Sequence, residues 1–152
     1  MEDFKFHGRP ELAGPLSALL LQAWQDSAGD SPKPDLILPV PLSPARLAER
    51  GYNQAWELAR RLASALGRPA IASGLVRVVE TERQAALTRE ERLKNLRAAF
   101  MVEPALRSRL AGAHLALVDD VMTTGATLHA AAKALRKAGV AHVEAWVCAR
   151  VP

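Results

Sequence analysis

The chain has 152 residues, 49% of them hydrophobic and 24% charged, with a net charge of +4, which predicts one globular domain over residues 1–152. A single cysteine, Cys148, excludes an intramolecular disulfide and a Cys-rich zinc site. No apolar stretch approaches the length of a membrane span and no signal-peptide pattern opens the chain, so we expect a cytoplasmic protein. Arginine far outnumbers lysine among the basic residues, which favours bidentate contacts to phosphate or carboxylate.

Helical and strand patterns alternate along the chain, which predicts an α/β fold with a mainly parallel central sheet flanked by helices. A first helix is predicted to begin at Pro10, and apolar residues at helical spacing form its inward face: Leu12, Leu16, Leu19, Leu20 and Trp24. Residues 35–40 predict a short buried strand. A second helix is predicted from Asn53 to Leu66, with Gly67 as its stop.

The second half of the chain continues the alternation. Residues 75–79 predict a strand, Thr88 and Glu91 form a capping box that opens a helix through about Asn95, and residues 98–102 predict another strand. A strand over residues 114–118 is followed by a helix over residues 126–138, closed by Gly139. A last strand is predicted over residues 142–151, and its apolar run indicates burial on both faces and an inert thiol: Trp146, Val147 and Cys148.

The most informative segment runs from Leu115 to Thr127, where an apolar strand ends in Asp119 and Asp120 and a Thr/Gly turn leads into a helix. Open α/β sheets bind ligands at the carboxyl ends of their strands, and a helix N-terminus presents free N–H groups to an anion. Two carboxylates beside such an anion site suit the neighbouring hydroxyls of a ribose. Each piece alone is common, since Asp-Asp often lies in a solvated turn and Thr-Thr-Gly often opens a helix, but the whole string favours a sugar-phosphate site.

Two further segments carry charge. In the proline-rich stretch 39–55, Arg46 and Arg50 share one helical face and could clamp a pyrophosphate, although surface arginines on a stiff connector are the simpler alternative. The stretch 77–100 is either a solvated helix face with ion pairs or an active-site lid. The histidines have no recognisable catalytic partner and are expected to be structural: His7, His114, His129 and His142.

The Leu115–Thr127 string resembles the phosphoribosyl pyrophosphate (PRPP) loop of the type I phosphoribosyltransferases. Together with the Arg-Gly-Tyr-Asn-Gln run at residues 50–54 and a Thr-Gln-Leu-Arg-Asn-Phe pattern over residues 81–100, it is similar in motif order to the ComF family, nearly throughout the chain. That family includes the competence protein ComF and the GntX-type proteins. Many members begin with a zinc-binding Cys-rich module, whose cysteines this sequence lacks, so any role that depends on the module is in doubt here.

The resemblance implies a type I phosphoribosyltransferase-like fold with a small hood, and an enzyme that binds PRPP with Mg²⁺ and transfers ribose 5-phosphate to an unknown acceptor. Asp119 and Asp120 would be the catalytic, ribose-binding pair. The turn would hold the 5′-phosphate through Thr123, Thr124, Gly125, Ala126 and Thr127. The pyrophosphate would lie against Leu42, Ser43, Arg46 and Arg50. A lid would include Thr81, Arg83 and Gln84. Mg²⁺ would be held mainly through PRPP, with no dedicated protein metal site.

Two alternatives stay open. The resemblance also allows a PRPP-binding or nucleotide-binding accessory protein of competence and DNA uptake, without transfer activity. Direct binding of single-stranded DNA is a third reading, but the low aromatic content, 5%, provides few platforms for stacking bases. Transferases of this kind often form homodimers, and nothing in the sequence names the acceptor.

Overall fold

The computed structural model of the chain describes residues 10–78 and 88–151. The first half contains a 3₁₀ turn, Pro10–Leu12, and then α1 (Ala13–Ala28), β1 (Leu36–Pro39), α2 (Pro44–Arg50), α3 (Gln54–Leu66) and β2 (Leu75–Arg77). The second half contains α4 (Arg89–Arg97), β3 (Phe100–Val102), a 3₁₀ turn at Pro104–Leu106, α5 (Arg107–Leu110), β4 (His114–Met122), α6 (Ala126–Lys137) and β5 (His142–Arg150). In the part of the chain that the structure describes, no helix is long and apolar enough to cross a bilayer.

Among the described residues, a parallel sheet in the order β1–β4–β5 forms the centre of the fold. Leu36 pairs with Leu115, and His114 pairs with His142, so the strands begin close to the same level. β2 and β3 form a separate small antiparallel sheet. This arrangement confirms the predicted α/β class with a mainly parallel central sheet flanked by helices.

Helices cover both faces of the parallel sheet. Side chains alternate along the strands, so Leu38 and Leu117 join a core layer with α6, whereas Ile37 and Ala116 join a second layer with α1 and α3. Truncating a fully buried leucine in such a layer costs about 2–5 kcal/mol. These two layers, rather than the loops, therefore fix where the strand ends lie.

The local signals for helix ends are confirmed. Asn53 caps α3 by accepting the N–H groups of Ala55 and Trp56, and Gly67 ends it with a φ of +64°. Ahead of α4, Glu91 accepts the Thr88 N–H at 2.8 Å, and Thr88 Oγ1 accepts the Glu91 N–H at 3.3 Å. These reciprocal bonds are the predicted capping box. The pKa of Glu91 is lowered by the Thr88 backbone N–H and then by the Thr88 hydroxyl, which both donate to its carboxylate.

Three expectations need correction. Leu19, placed on the inward face of the first helix, is 64% exposed, because it lies on the opposite side of α1 from the buried Ser17. The other residues predicted for this face do pack against the core: Leu12, Leu16, Leu20 and Trp24. β4 does not end at Val118 but continues to Met122, so both aspartates lie inside the strand. β5 has its side chains against both core layers, yet among its residues only Trp146 is fully buried, because β5 lies at the outside of the described sheet.

Candidate functional site

A polar cavity of about 200 Å³ lies at the carboxyl ends of β1 and β4. Parallel pairing sets Pro39, the last residue of β1, beside Val118, so the loop after β1 meets Asp119 and Asp120. The lining residues come from four parts of the chain: Val40, Pro41, Leu42, Arg46, Arg50, Asn53, Gln54, Ala55, Arg77, Asp119, Asp120, Val121, Thr123 and Thr127. The sheet edge thus joins the aspartate and arginine segments that the sequence analysis had considered separately.

The two aspartates are held by the backbone that follows them. Asp119 Oδ1 accepts the Asp120 N–H at 2.9 Å, and Asp120 Oδ1 accepts the Val121 N–H at 2.7 Å. Asp120 is 7% exposed, whereas Asp119 is half-buried. Because each carboxylate has one oxygen fixed in this way, the pair is positioned at the cavity before any ligand arrives.

The turn after β4 leads directly into α6. Gly125 has a φ of +76°, a left-handed conformation that favours glycine, and a Cβ there would lie 3.4 Å from Met122 Sδ. The Thr124 hydroxyl accepts the Ala126 N–H at 3.3 Å. Thr123 and Thr127 line the cavity from the two sides of this turn. The turn therefore brings hydroxyls and the positive end of a twelve-residue helix to the cavity, which suits an anion.

The arginine side of the cavity is built by α2. Ser43 begins this helix, because its buried hydroxyl accepts the Arg46 N–H at 3.3 Å. Arg46 and Arg50 then lie one turn apart and both line the cavity, and Arg50 Nη1 donates to Gln54 Oε1 at 3.3 Å. Leu42 also lines the cavity, but Ser43 is not among its lining residues. Ser43 therefore acts as the N-cap of α2 and does not line the cavity as a pyrophosphate-binding residue would.

Three further residues line the cavity, and no motif in the sequence had predicted them there: Asn53, Gln54 and Arg77. Asn53 Nδ2 donates to the Val40 carbonyl at 3.1 Å, which ties the start of α3 to the end of β1. Arg77 is buried in β2, and its guanidinium lies 5.6 Å from the centre of the Phe100 ring. The sequence did contain a signal for Arg77, because a basic residue at an inward-facing position of an alternating strand is unusual and suggests a functional role.

The negative charges of the two aspartates affect the pKa of a neighbouring thiol. Cys148 on β5 is half-buried, and its pKa is raised to about 11, first by burial and then by the negative charges of Asp120 and Asp119. At neutral pH the thiol therefore stays protonated and poorly nucleophilic, as expected from the apolar run around it.

Other predicted residues fall outside this cavity or outside the described residues. The lid residues Thr81, Arg83 and Gln84 lie in the stretch that the structure does not describe, as does His7. His129 is exposed on α6. No partner for His114 could be recognised in the sequence, but in the structure its Nε2 atom lies 2.6 Å from Glu144 Oε1. This pair forms at the amino end of β4, away from the aspartates.

Comparisons with known proteins agree with this architecture. The family model described as "Phosphoribosyl transferase domain" matches residues 46–152. Competence protein F of Haemophilus influenzae is 36% identical over 99% of this chain, and DNA utilization protein YhgH of Escherichia coli K12 is 34% identical over 99%. Competence protein ComFC of Bacillus subtilis is 33% identical over 91% of this chain and 52% of its own length. The chain therefore belongs to the phosphoribosyl transferase domain family, in its ComF branch, which confirms the resemblance seen in the motifs.

Solved structures show the same fold at low identity. Glutamine PRPP amidotransferase from B. subtilis superposes with a TM-score of 0.63 at 19% identity, over 97% of this chain and 30% of that one. Adenine phosphoribosyltransferase from Leishmania tarentolae superposes with a TM-score of 0.53 at 19% identity, over 90% of this chain and 56% of that one. The fold is thus the type I phosphoribosyltransferase fold. The chain spans 66% of the length of Competence protein F and 65% of that of YhgH.

Proposed function

We propose that the cavity binds PRPP together with Mg²⁺ and that the chain transfers the ribose 5-phosphate group to an acceptor in the cytoplasm. The observation that carries this proposal is the meeting of Asp119 and Asp120 with Arg46 and Arg50 in one cavity. A site for phosphate alone has no use for two carboxylates. A site for a sugar carrying phosphate at one end and pyrophosphate at the other uses both kinds of charge.

In this proposal each part of the cavity has one task. Asp119 and Asp120 accept hydrogen bonds from the ribose hydroxyls, and the turn from Thr123 to Thr127 receives the 5′-phosphate. Arg46 and Arg50 receive the pyrophosphate, with Arg77 adding positive charge from the small sheet.

The reaction breaks the bond between C1 of the ribose and the pyrophosphate oxygen, which leaves with the electron pair. The acceptor forms the new bond to C1 and loses a proton. Positive charge develops on the sugar ring in between, and the two carboxylates stabilise it by their position.

The cavity suits Mg²⁺ by its chemistry, since its carboxylates and threonine hydroxyls are oxygen donors, which this ion prefers. We assign no side chain as a dedicated ligand, because the ion in this proposal is held mainly through oxygens of PRPP. When bound, it neutralises charge on the pyrophosphate and helps that group to leave.

A second candidate function is PRPP or nucleotide sensing without turnover, in competence or DNA use. The names of the relatives favour it, since "Competence protein F" and "DNA utilization protein YhgH" state a process and no reaction. The same cavity would then bind PRPP as a signal. This candidate differs from the first only in the chemical step.

The experiment that tests the proposal measures PRPP binding by calorimetry with Mg²⁺, and then pyrophosphate release over a panel of purines, pyrimidines and amines. Saturable binding with acceptor-dependent release supports the transferase. Saturable PRPP binding, with no pyrophosphate released in the presence of any acceptor on the panel, supports the sensor. If PRPP does not bind in the presence of Mg²⁺, both candidates are wrong, and affinity for single-stranded DNA that falls steeply with salt would favour the third reading.

A further inference from the structure

Two histidines and a glutamate meet at the amino ends of β4 and β5, at the opposite end of β4 from the cavity. His114, His142 and Glu144 each offer one ligand atom, and these atoms all lie within 4.8 Å of one another. The cluster is separate from the proposed PRPP site, since none of the three residues lines that cavity.

The strand register builds this cluster. His114 and His142 are paired residues on adjacent parallel strands, and their ring centres lie 4.8 Å apart. Glu144 follows His142 by two positions, so the two side chains lie on the same face of β5. The Glu144 carboxylate reaches back to His114, with 2.6 Å between Oε1 and Nε2. The fold therefore preorganises the three side chains without any contribution from a flexible loop.

The second oxygen of Glu144 is held by two indoles. Trp146 Nε1 donates to Glu144 Oε2 at 2.9 Å, and Trp24 Nε1 donates to the same atom at 3.3 Å. The two rings also pack together, with centres 5.4 Å apart. Hydrogen bonds of this kind orient a metal-binding carboxylate in known sites, and here they direct Oε1 toward the histidines.

We propose that His114, His142 and Glu144 bind one divalent transition-metal ion, with Zn²⁺ as the best match and water completing the coordination. Imidazole nitrogen and carboxylate oxygen are accepted ligands of Zn²⁺, at about 2.0–2.2 Å from the ion. Tetrahedral bonds of that length separate ligand atoms by about 3.3–3.6 Å. The His114–Glu144 pair, at 2.6 Å, therefore has to open by about 1 Å, and ligand atoms that lie as far apart as 4.8 Å have to close by about 1–1.5 Å. Two imidazoles select against Mg²⁺, which prefers oxygen ligands.

The expected consequence is mechanical. The ion would fasten β5, the outer strand of the described sheet, to β4, the strand that carries the aspartates. Because the site exists only when the strands are paired, metal binding stabilises the folded chain. The proposal goes beyond phosphoribosyl transfer and holds whether or not the chain turns over PRPP.

The test uses tag-free, metal-stripped protein and Zn²⁺ titrated by calorimetry without PRPP. His142→Ala is the informative variant, because His142 is exposed and the His114–Glu144 hydrogen bond does not depend on it. His129→Ala is the matched control, since His129 is an exposed histidine on α6. We expect one equivalent of Zn²⁺ to bind the parent and the control, at least tenfold weaker binding by His142→Ala, and a Zn²⁺-dependent rise in Tm that His142→Ala lacks.

Two further measurements locate the site. Co²⁺ in place of Zn²⁺ should give visible absorption in the parent that is lost in His142→Ala, and excess Mg²⁺ should not displace it. The Asp119→Asn, Asp120→Asn double variant should keep full Zn²⁺ affinity. Equal affinity in the parent and His142→Ala, binding only at millimolar Zn²⁺, or loss of binding in the aspartate variant would each overturn the proposal.

Discussion

The two ends of β4 carry charged or titratable side chains, yet they do different things. At the carboxyl end, Asp119 and Asp120 accept backbone N–H groups and line a cavity together with arginines. At the amino end, His114 meets Glu144, which also accepts two indole N–H groups. The carboxyl end lines a cavity that suits a sugar phosphate, while the amino end joins β4 to β5 and α1 through side chains that a bound metal ion would link further. The side chains that other elements bring beside a strand end therefore determine what its charges can bind.

The largest effect is expected when the two aspartates at the carboxyl end of β4 are neutralised. Asp119→Asn with Asp120→Asn should lower PRPP affinity at least 100-fold, because hydrogen bonds to charged groups contribute about 1.5–3 kcal/mol each. The unfolding free energy should change little. Calorimetry with Mg²⁺ and urea unfolding measure the two effects. Asp26→Asn with Asp30→Asn, at exposed positions, is the matched control, and undiminished binding by the cavity variant would remove the aspartates from the site.

A substitution at the amino end of β4 should lower stability and leave PRPP affinity nearly unchanged. Glu144→Gln keeps one oxygen that accepts hydrogen bonds but replaces the other with an NH₂ donor. The side chain can therefore no longer serve both His114 and the indole N–H groups of Trp24 and Trp146 as an acceptor. We expect the unfolding free energy, measured in urea with EDTA present, to fall by about 1–3 kcal/mol. PRPP affinity should stay within about twofold of the parent at a temperature where both are folded. A loss of PRPP affinity without loss of stability would contradict the division between the two ends.

A smaller effect separates the two halves of the cavity. Arg46→Ala should weaken pyrophosphate binding about tenfold, or about 1.4 kcal/mol, because the guanidinium contacts only the leaving group in the proposed arrangement. Ribose 5-phosphate binding should be nearly unchanged. Competition assays with each ligand give the ratio, and Arg68→Ala provides an exposed arginine outside the cavity as control. Equal losses for both ligands would exclude Arg46 from the leaving-group role.

The smallest expected effect uses Cys148 as a reporter of the carboxyl end. Its pKa is raised to about 11, with burial as the larger cause and Asp120 and Asp119 as the smaller ones. Neutralising both aspartates should lower this pKa and so raise the thiolate fraction at a given pH, but the pKa should stay above its ordinary value. Iodoacetamide alkylation rates from about pH 7 to about pH 10 measure it. An unchanged profile would mean that the carboxylates do not act on the thiol.

Elements whose signals are local could be predicted from the amino-acid sequence alone. Asn53 and Gly67 bracket α3, Thr88 with Glu91 opens α4, and the turn at Gly125 leads from the aspartates into a helix as predicted, although β4 runs on to Met122 and contains both aspartates. Each of these depends on hydrogen bonds or backbone angles within a few residues. The same local order also carried the family resemblance. Such features can be predicted because the atoms that stabilise them are neighbours in the chain.

Contacts between segments that are far apart in the chain could be seen only in the folded structure. Arg77 reaches the cavity from the small sheet, and His114 finds Glu144 because β4 pairs with β5 in one particular register. Leu19 points outward, although Leu16 and Leu20 on the same helix pack against the core as predicted. These outcomes depend on strand order, register and helix docking, which are set by burial of the two core layers as a whole. No short stretch of sequence contains that information, since the free energy that selects it is shared by residues far apart in the chain.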